Sequence, residues 1–126
     1  MEKLDLKKRL DNLTYEVTQN CATEPPNSGK YCNFFKDGKY LCVCCGKTLF
    51  SSESKFESKS GWPSFSSAIS SDNIKYKSDF SYGMLRTEIS CKFCGSHLGH
   101  VFDDGPPPTG KRYCINSVSL SFEKND

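Results

Sequence analysis

What this sequence lacks narrows it first. No stretch approaches the roughly 18 consecutive apolar residues of a membrane span, and the opening Met-Glu-Lys-Leu-Asp-Leu-Lys-Lys-Arg-Leu holds no apolar run for a signal peptide. Neither sign of charge dominates: 17 Lys and Arg against 15 Asp and Glu leave a formal net charge of +2, with no basic stripe. Nucleic acid and membrane partners are therefore not expected. Apart from two cysteine knuckles there is no internal repeat, and the serine-rich stretch 51–60 is too short and too mixed for a linker. The charged N-terminus predicts a reducing compartment, the cytoplasm, so the eight cysteines read as thiols and metal ligands before disulfides.

Four of those cysteines form a pattern. Cys42/Cys45 and Cys91/Cys94 are Cys-x-x-Cys pairs, each followed by a glycine, Gly46 and Gly95. That spacing suits one closed tetrahedral Zn2+ per chain, against the alternative of two disulfides. Metal help is in keeping with 126 residues, a length that buries about two thirds of its unfolded surface. Cys114, in Arg-Tyr-Cys-Ile-Asn-Ser, stands outside the quartet. It is either a small buried hydrophobe or, beside Arg112, a redox nucleophile.

The rest reads as one mainly β domain over 1–126, with a core of about 14–122 behind a short N-terminal helix within 1–13. Leu6, Leu10 and Leu13 fall at i, i+4 and i+7, one face of a helix from about Lys3 to about Asp11. From Thr14 the period becomes that of a strand, with Tyr15 and Val17 alternating against polar neighbours. Pro25-Pro26-Asn27-Ser28-Gly29 forces a loop, and Asp37-Gly38 predicts a hairpin-type turn. Further strands are expected at Leu85/Thr87/Ile89, Leu98/His100/Phe102 and Lys111 to Phe122. Cys44, between the knuckle partners, reads as a strand residue.

The two-residue period carries one inference about chemistry. If 111–122 is extended, Arg112, Cys114, Asn116, Val118, Leu120 and Phe122 share one side, and Tyr113 and Ile115 the other. Leu98, His100 and Phe102 likewise line up, with His97 on the opposite parity. The turn 103–110 would return the second strand antiparallel to the first, setting His100 across from Cys114 unless a bulge reverses the parity. Taken singly, each histidine also reads as a hydrogen-bonded core residue, and Trp62 as ordinary packing.

Gly61-Trp62-Pro63-Ser64-Phe65, His97-Leu98-Gly99-His100-Val101-Phe102, Asp104-Gly105-Pro106 and Arg112-Tyr113-Cys114-Ile115-Asn116-Ser117, in that order around the knuckles, resemble the B-type methionine sulfoxide reductases. Val17-Thr18-Gln19 and Thr23-Glu24-Pro25-Pro26 extend the resemblance over about Tyr15 to Phe122. It implies two antiparallel β-sheets stapled by a four-cysteine zinc site away from the active site. It also implies thiol-dependent reduction of methionine-R-sulfoxide in oxidised proteins, a repair of oxidative damage, by a monomer served by thioredoxin or a similar reductant. By resemblance Cys114 is the nucleophile, His100, His97 and Asn116 surround the sulfoxide oxygen, Arg112 and Asp104 are charged supports, and Trp62, with Phe102, receives the substrate.

These residue types suit that reaction. A sulfoxide sulfur is a poor electrophile, so it needs a thiolate attacker and a proton donor at its oxygen. Arg112 beside Cys114 would lower the thiol pKa, and His100 is the better-motivated acid. Attack leaves Cys114 as a sulfenic acid. Many relatives resolve this with a cysteine two residues before the tryptophan, where this chain has Ser60. Cys21 and Cys32 are the candidates to replace it, ahead of Cys44, the remaining thiol. Asn27 is a second departure, since relatives commonly carry phenylalanine there. The competing reading is a non-catalytic zinc-stapled binding module in which Cys114 is merely structural.

Overall fold

The computed structural model describes residues 3–80 and 86–124. Two helices open the chain, α1 (Lys3–Arg9) and α2 (Asn12–Asn20). The polypeptide breaks between them because Asp11, extended at φ −68°, ψ 168°, turns its carboxylate back to accept the Thr14 N–H at 2.8 Å. That is an N-cap satisfying one of the orphan donors of a new helix. The strand expected from Thr14 is therefore a helix: Thr14, Val17 and Thr18 fall at i, i+3 and i+4 and are its buried face. Leu6 docks on the core and Leu10 beside it, but Leu13 lies beyond the break and is exposed. Arg9 fastens α1 to the first knuckle by donating to the carbonyls of Val43, at 3.1 Å, and Cys44, at 2.8 Å.

Nine strands follow among the described residues: β1 (Gly38–Cys42), β2 (Thr48–Ser51), β3 (Lys55–Phe56), β4 (Ser64–Phe65), β5 (Ile74–Asp79), β6 (Arg86–Cys91), β7 (His97–Phe102), β8 (Arg112–Ile115) and β9 (Leu120–Lys124). They make two antiparallel sheets, three-stranded β2-β1-β9 and six-stranded β3-β4-β8-β7-β6-β5, as a mainly β reading requires. Asp37-Gly38 does not close a hairpin, because the segment before it is turns and irregular chain and Gly38 opens β1. Of the expected strand around Leu85, Thr87 and Ile89 lie in β6, whereas Leu85 lies outside the described residues.

The run from Lys111 to Phe122 is two strands in different sheets. A 3₁₀ turn at Ser117–Ser119 separates β8 from β9. Arg112 and Cys114 keep the shared face within β8, and Asn116, just past its end, still joins Cys114 in lining one cavity; Leu120 and Phe122 pair with β1 in the smaller sheet. The core forms between the sheets. Tyr40 and Phe50 from the small sheet meet Phe65 of the large one, with ring centroids 5.1 Å and 4.5 Å away, and all three are fully buried. Leu49, Ile89, Leu98 and Ile115, also fully buried, complete it.

Candidate active site and metal centre

β7 and β8 pair so that His100 stands opposite Cys114, the juxtaposition that strand parity predicts. β4 lies on the other side of β8, with Ser64 opposite Cys114. Gly99 makes the close pairing feasible. Its missing side chain leaves room for the Cys114 carbonyl and for Ile115, into which a Cβ would be driven.

An open cavity of about 110 Å³ lies over this junction, with Cys114, His100, Trp62, Phe102, Asn116, Thr23, Arg86 and Gly99 in its wall. Its floor is held by a buried hydrogen-bond chain. Asn116 donates through Nδ2 to the Leu98 carbonyl at 3.0 Å and accepts the Glu24 N–H through Oδ1 at 3.0 Å. The Glu24 carbonyl accepts the Trp62 indole N–H at 3.0 Å, fixing that ring as a wall. Glu24 itself is buried; its Oε1 accepts the Val118 N–H at 3.0 Å, and burial raises its pKa.

Two forces act on the Cys114 thiol. Burial pushes its pKa up, and the Arg112 guanidinium and the Ser60 hydroxyl pull it down; burial wins. The expected depression by Arg112 is thus present and outweighed. Arg112 grips Asp104 with both ends of its fork, at 2.9 Å and 3.2 Å, and lies 4.5 Å over the Phe102 ring. Asp104 stays outside the cavity, exposed, as the counter-ion of Arg112. Ser60 belongs to a hydroxyl cluster with Ser58 and Ser64, Ser58 lying 2.8 Å and 2.7 Å from the other two.

His100 is oriented from outside the sequence motifs. Its Nε2 lies 2.8 Å from Asp79 Oδ2, which also accepts from Arg86 Nη2 at 3.2 Å. Sequence reasoning missed Asp79, Arg86 and Glu24. Asp79 and Arg86 face each other only because β5 and β6 pair in that register, a relation with no local signal; Glu24 lay inside a motif, but nothing marked its carboxyl as buried. His97 is buried behind the cavity, its ring 5.8 Å from that of His100, and burial lowers its pKa. It cannot reach a group in the cavity as directly as His100 does. Cys21 ends α2 on the His97 side, and Cys32 lines a smaller cavity that shares Trp62.

The four knuckle sulfurs converge. Cys42 and Cys94 lie 3.6 Å apart, as do Cys45 and Cys91, and all four sulfurs fall within 4.8 Å of one another. Zinc–sulfur bonds of about 2.3 Å at a tetrahedral angle set sulfurs roughly 3.8 Å apart, so the site fits Zn2+. Gly46 and Gly95 turn the knuckles at φ +80° and +77°, where a side chain would be strained. Cys42 ends β1 and Cys91 ends β6, so the quartet bridges the two sheets. Arg86, in the cavity wall, lies at the opposite end of β6, about 16 Å along the strand. Cys44 is a buried turn residue here, not a strand residue.

A sequence model of the SelR domain family matches residues 10–124. A "Peptide methionine sulfoxide reductase MsrB" of Herminiimonas arsenicoxydans is 56% identical over 90% of this chain and 83% of its own length. The "Methionine-R-sulfoxide reductase B3, mitochondrial" of Mus musculus is 58% identical over 97% of this chain, which spans 48% of that protein. A further MsrB, from Thioalkalivibrio sulfidiphilus, is 53% identical over 94% of this chain and 86% of its own length.

Proposed function

The chain belongs to the SelR domain family, and on that premise we propose that it is a peptide-methionine (R)-S-oxide reductase with Cys114 as its nucleophile, acting on oxidised proteins to repair them. The observation that carries this reading is the cavity in which a thiol, a carboxylate-held imidazole and an indole wall meet. No helix among the described residues is long and apolar enough to cross a membrane.

In this mechanism the methyl group of the sulfoxide rests against Trp62 and Phe102, which puts the sulfur over Cys114 and the oxygen toward His100. The epimer that points its oxygen away from His100 is not served. Cys114 attacks as thiolate, His100 donates a proton to the oxygen, and the substrate sulfur–oxygen bond breaks. Methionine leaves as the thioether while the oxygen, with its proton, becomes bonded to the Cys114 sulfur as a sulfenic acid; the two electrons that reduce the substrate sulfur come from the cysteine sulfur, which is thereby oxidised. Arg112 stabilises the thiolate, Asp104 holds Arg112, and Asn116 and His97 keep the strands and the His100 ring in place. A second thiol then displaces the oxygen as water and forms a disulfide, which a thioredoxin-like dithiol reduces. Zn2+ on Cys42, Cys45, Cys91 and Cys94 is structural.

Incubating the protein with dithiothreitol and mixed methionine sulfoxide epimers should consume the R form alone, and Cys114→Ser should abolish turnover. Equal turnover by that variant would overturn the assignment. For the resolving thiol, Cys21→Ser and Cys32→Ser are compared in a thioredoxin-coupled assay. The variant lacking the resolver should lose coupled turnover while still releasing one equivalent of methionine; if both variants turn over normally, the reductant attacks Cys114 directly.

A further inference from the structure

A second group of metal-ligating side chains lies behind the cavity, separate from the cysteine quartet. Cys21 comes from the end of α2, Glu88 from β6 and His97 from the start of β7, and one ligand atom of each lies within 4.8 Å of the other two. A thiolate, a carboxylate and an imidazole are the three zinc-ligand types of proteins.

His97 is what makes this more than proximity. The residue is 3% exposed, and its buried Nδ1 has no hydrogen-bond partner, although buried polar atoms are ordinarily paired. That nitrogen points at Glu88 Oε2 across 3.6 Å, too far for a hydrogen bond. Two ligands at about 2.0–2.1 Å from a tetrahedral zinc sit roughly 3.4 Å apart, so the gap matches an edge of such a site. Burial also disfavours a proton on the imidazole, which leaves a nitrogen lone pair for a metal. Around Cys21 the field invites a cation: after burial, Glu88 is the strongest influence raising its pKa and Asp79 adds to it, against Lys77. The chain holds Cys21 in the left-handed region at φ 57°, where a glycine is the ordinary helix terminator.

We propose that Cys21, Glu88 and His97 form a second, three-ligand site for Zn2+ or a divalent cation of the same class. Cys21 is exposed and Glu88 partly so. Solvent therefore takes the fourth position, and the ion exchanges more readily than one closed in by four cysteines. The site does not rest on the reductase reading. If that reading holds, occupancy withdraws Cys21 from thiol exchange and clamps the ring packed against His100, so the ion slows turnover reversibly.

Full-length protein with its quartet filled by zinc is titrated with Co2+ and followed by visible and near-ultraviolet absorption. The expected result is one further ion per chain, with a thiolate-to-cobalt charge-transfer band that is lost in Cys21→Ser and a binding curve displaced to higher Co2+ in Glu88→Gln. No further ion, a band that survives Cys21→Ser, or wild-type affinity in Glu88→Gln overturns the proposal. Retained zinc and an unchanged melting temperature show that the variants are folded. Sulfoxide turnover measured without added metal tests the reductase reading by itself, so the two can fail separately.

Discussion

At Cys114 the site holds a compromise between shelter and reactivity. Burial raises the thiol pKa, while the guanidinium of Arg112 and the hydroxyl of Ser60 offset part of that rise. The same burial that shelters the sulfur disfavours its thiolate. The sign for Arg112 follows. Removing a cation that favours the thiolate lifts the pKa further, so Arg112→Met, which still covers Phe102, should move the pH profile of Cys114 alkylation by iodoacetamide to higher pH. At a fixed pH below the pKa, alkylation slows about tenfold for every pH unit by which the profile moves. Peptide mapping identifies the labelled cysteine, and an unchanged profile would remove Arg112 from the activating role. Trp62 and Asn116 show another residue-scale economy. The indole N–H and the amide are both committed to the backbone around Glu24, so they present fixed surfaces to the cavity.

Among the elements, the β7–β8 pair decides the geometry of the cavity. Four register pairs join it, from Gly99↔Ile115 to Phe102↔Arg112, and His100↔Cys114 is one of them. At the Gly99 position an added methyl group meets the Cys114 carbonyl and backbone of the neighbouring strand, which cannot rotate away as a side chain can. Gly99→Ala should therefore force the strands apart, lower stability by about 1–3 kcal/mol, and reduce turnover more than that loss of folded protein explains. Urea unfolding and assays on the metal-loaded variant would show both; full activity in a destabilised variant would mean that the register of this pair is not critical. α2 has a quieter part. It packs on β7 and the 117–119 turn, backing the strand that carries both histidines.

For the molecule as a whole, the cysteine quartet joins the ends of β1 and β6, one from each sheet. The aromatic contacts of Tyr40 and Phe50 with Phe65 join the same sheets elsewhere. Without an ion the quartet is four crowded thiols rather than a bond network, and structural zinc supplies about 10–16 kcal/mol in small zinc-dependent units. Chelation should thus abolish the cooperative melting transition, followed by circular dichroism alongside elemental analysis, and with it all turnover. Metal-free protein that melts unchanged would show that the aromatic core alone holds the sheets.

Much of this was legible in the sequence because it rests on short-range rules. Cys-x-x-Cys spacing with a following glycine specifies a knuckle, and the two-residue period of a strand set Arg112 with Cys114 and His100 with Phe102 before any contact was known. The same period failed at Leu98, because a bulge between the pairs Ile89↔Gly99 and Ser90↔His97 turns Leu98 into the core and brings His97 to the side of His100. The errors came where a local signal was overruled or overlooked. Asp11 is an N-cap, and the buried i, i+3, i+4 pattern of Thr14, Val17 and Thr18 outweighs the alternation of Tyr15 and Val17, so a helix stands where a strand was expected. Nothing local marks Ile115 as the end of β8, because the next N–H, of Asn116, still finds its acceptor in Leu98 and the chain then leaves for the other sheet.

The chain's own order of residues determined the family, the two cysteine knuckles and the short motifs that carry Cys114 and the histidines. Tertiary structure alone decided that Asp79 and Arg86 hold His100, that burial outweighs Arg112 at Cys114, and that Cys21, Glu88 and His97 share one place. Spacing along a chain fixes only what lies within a turn or a strand, whereas desolvation and cross-strand pairing depend on which distant segments fold against each other.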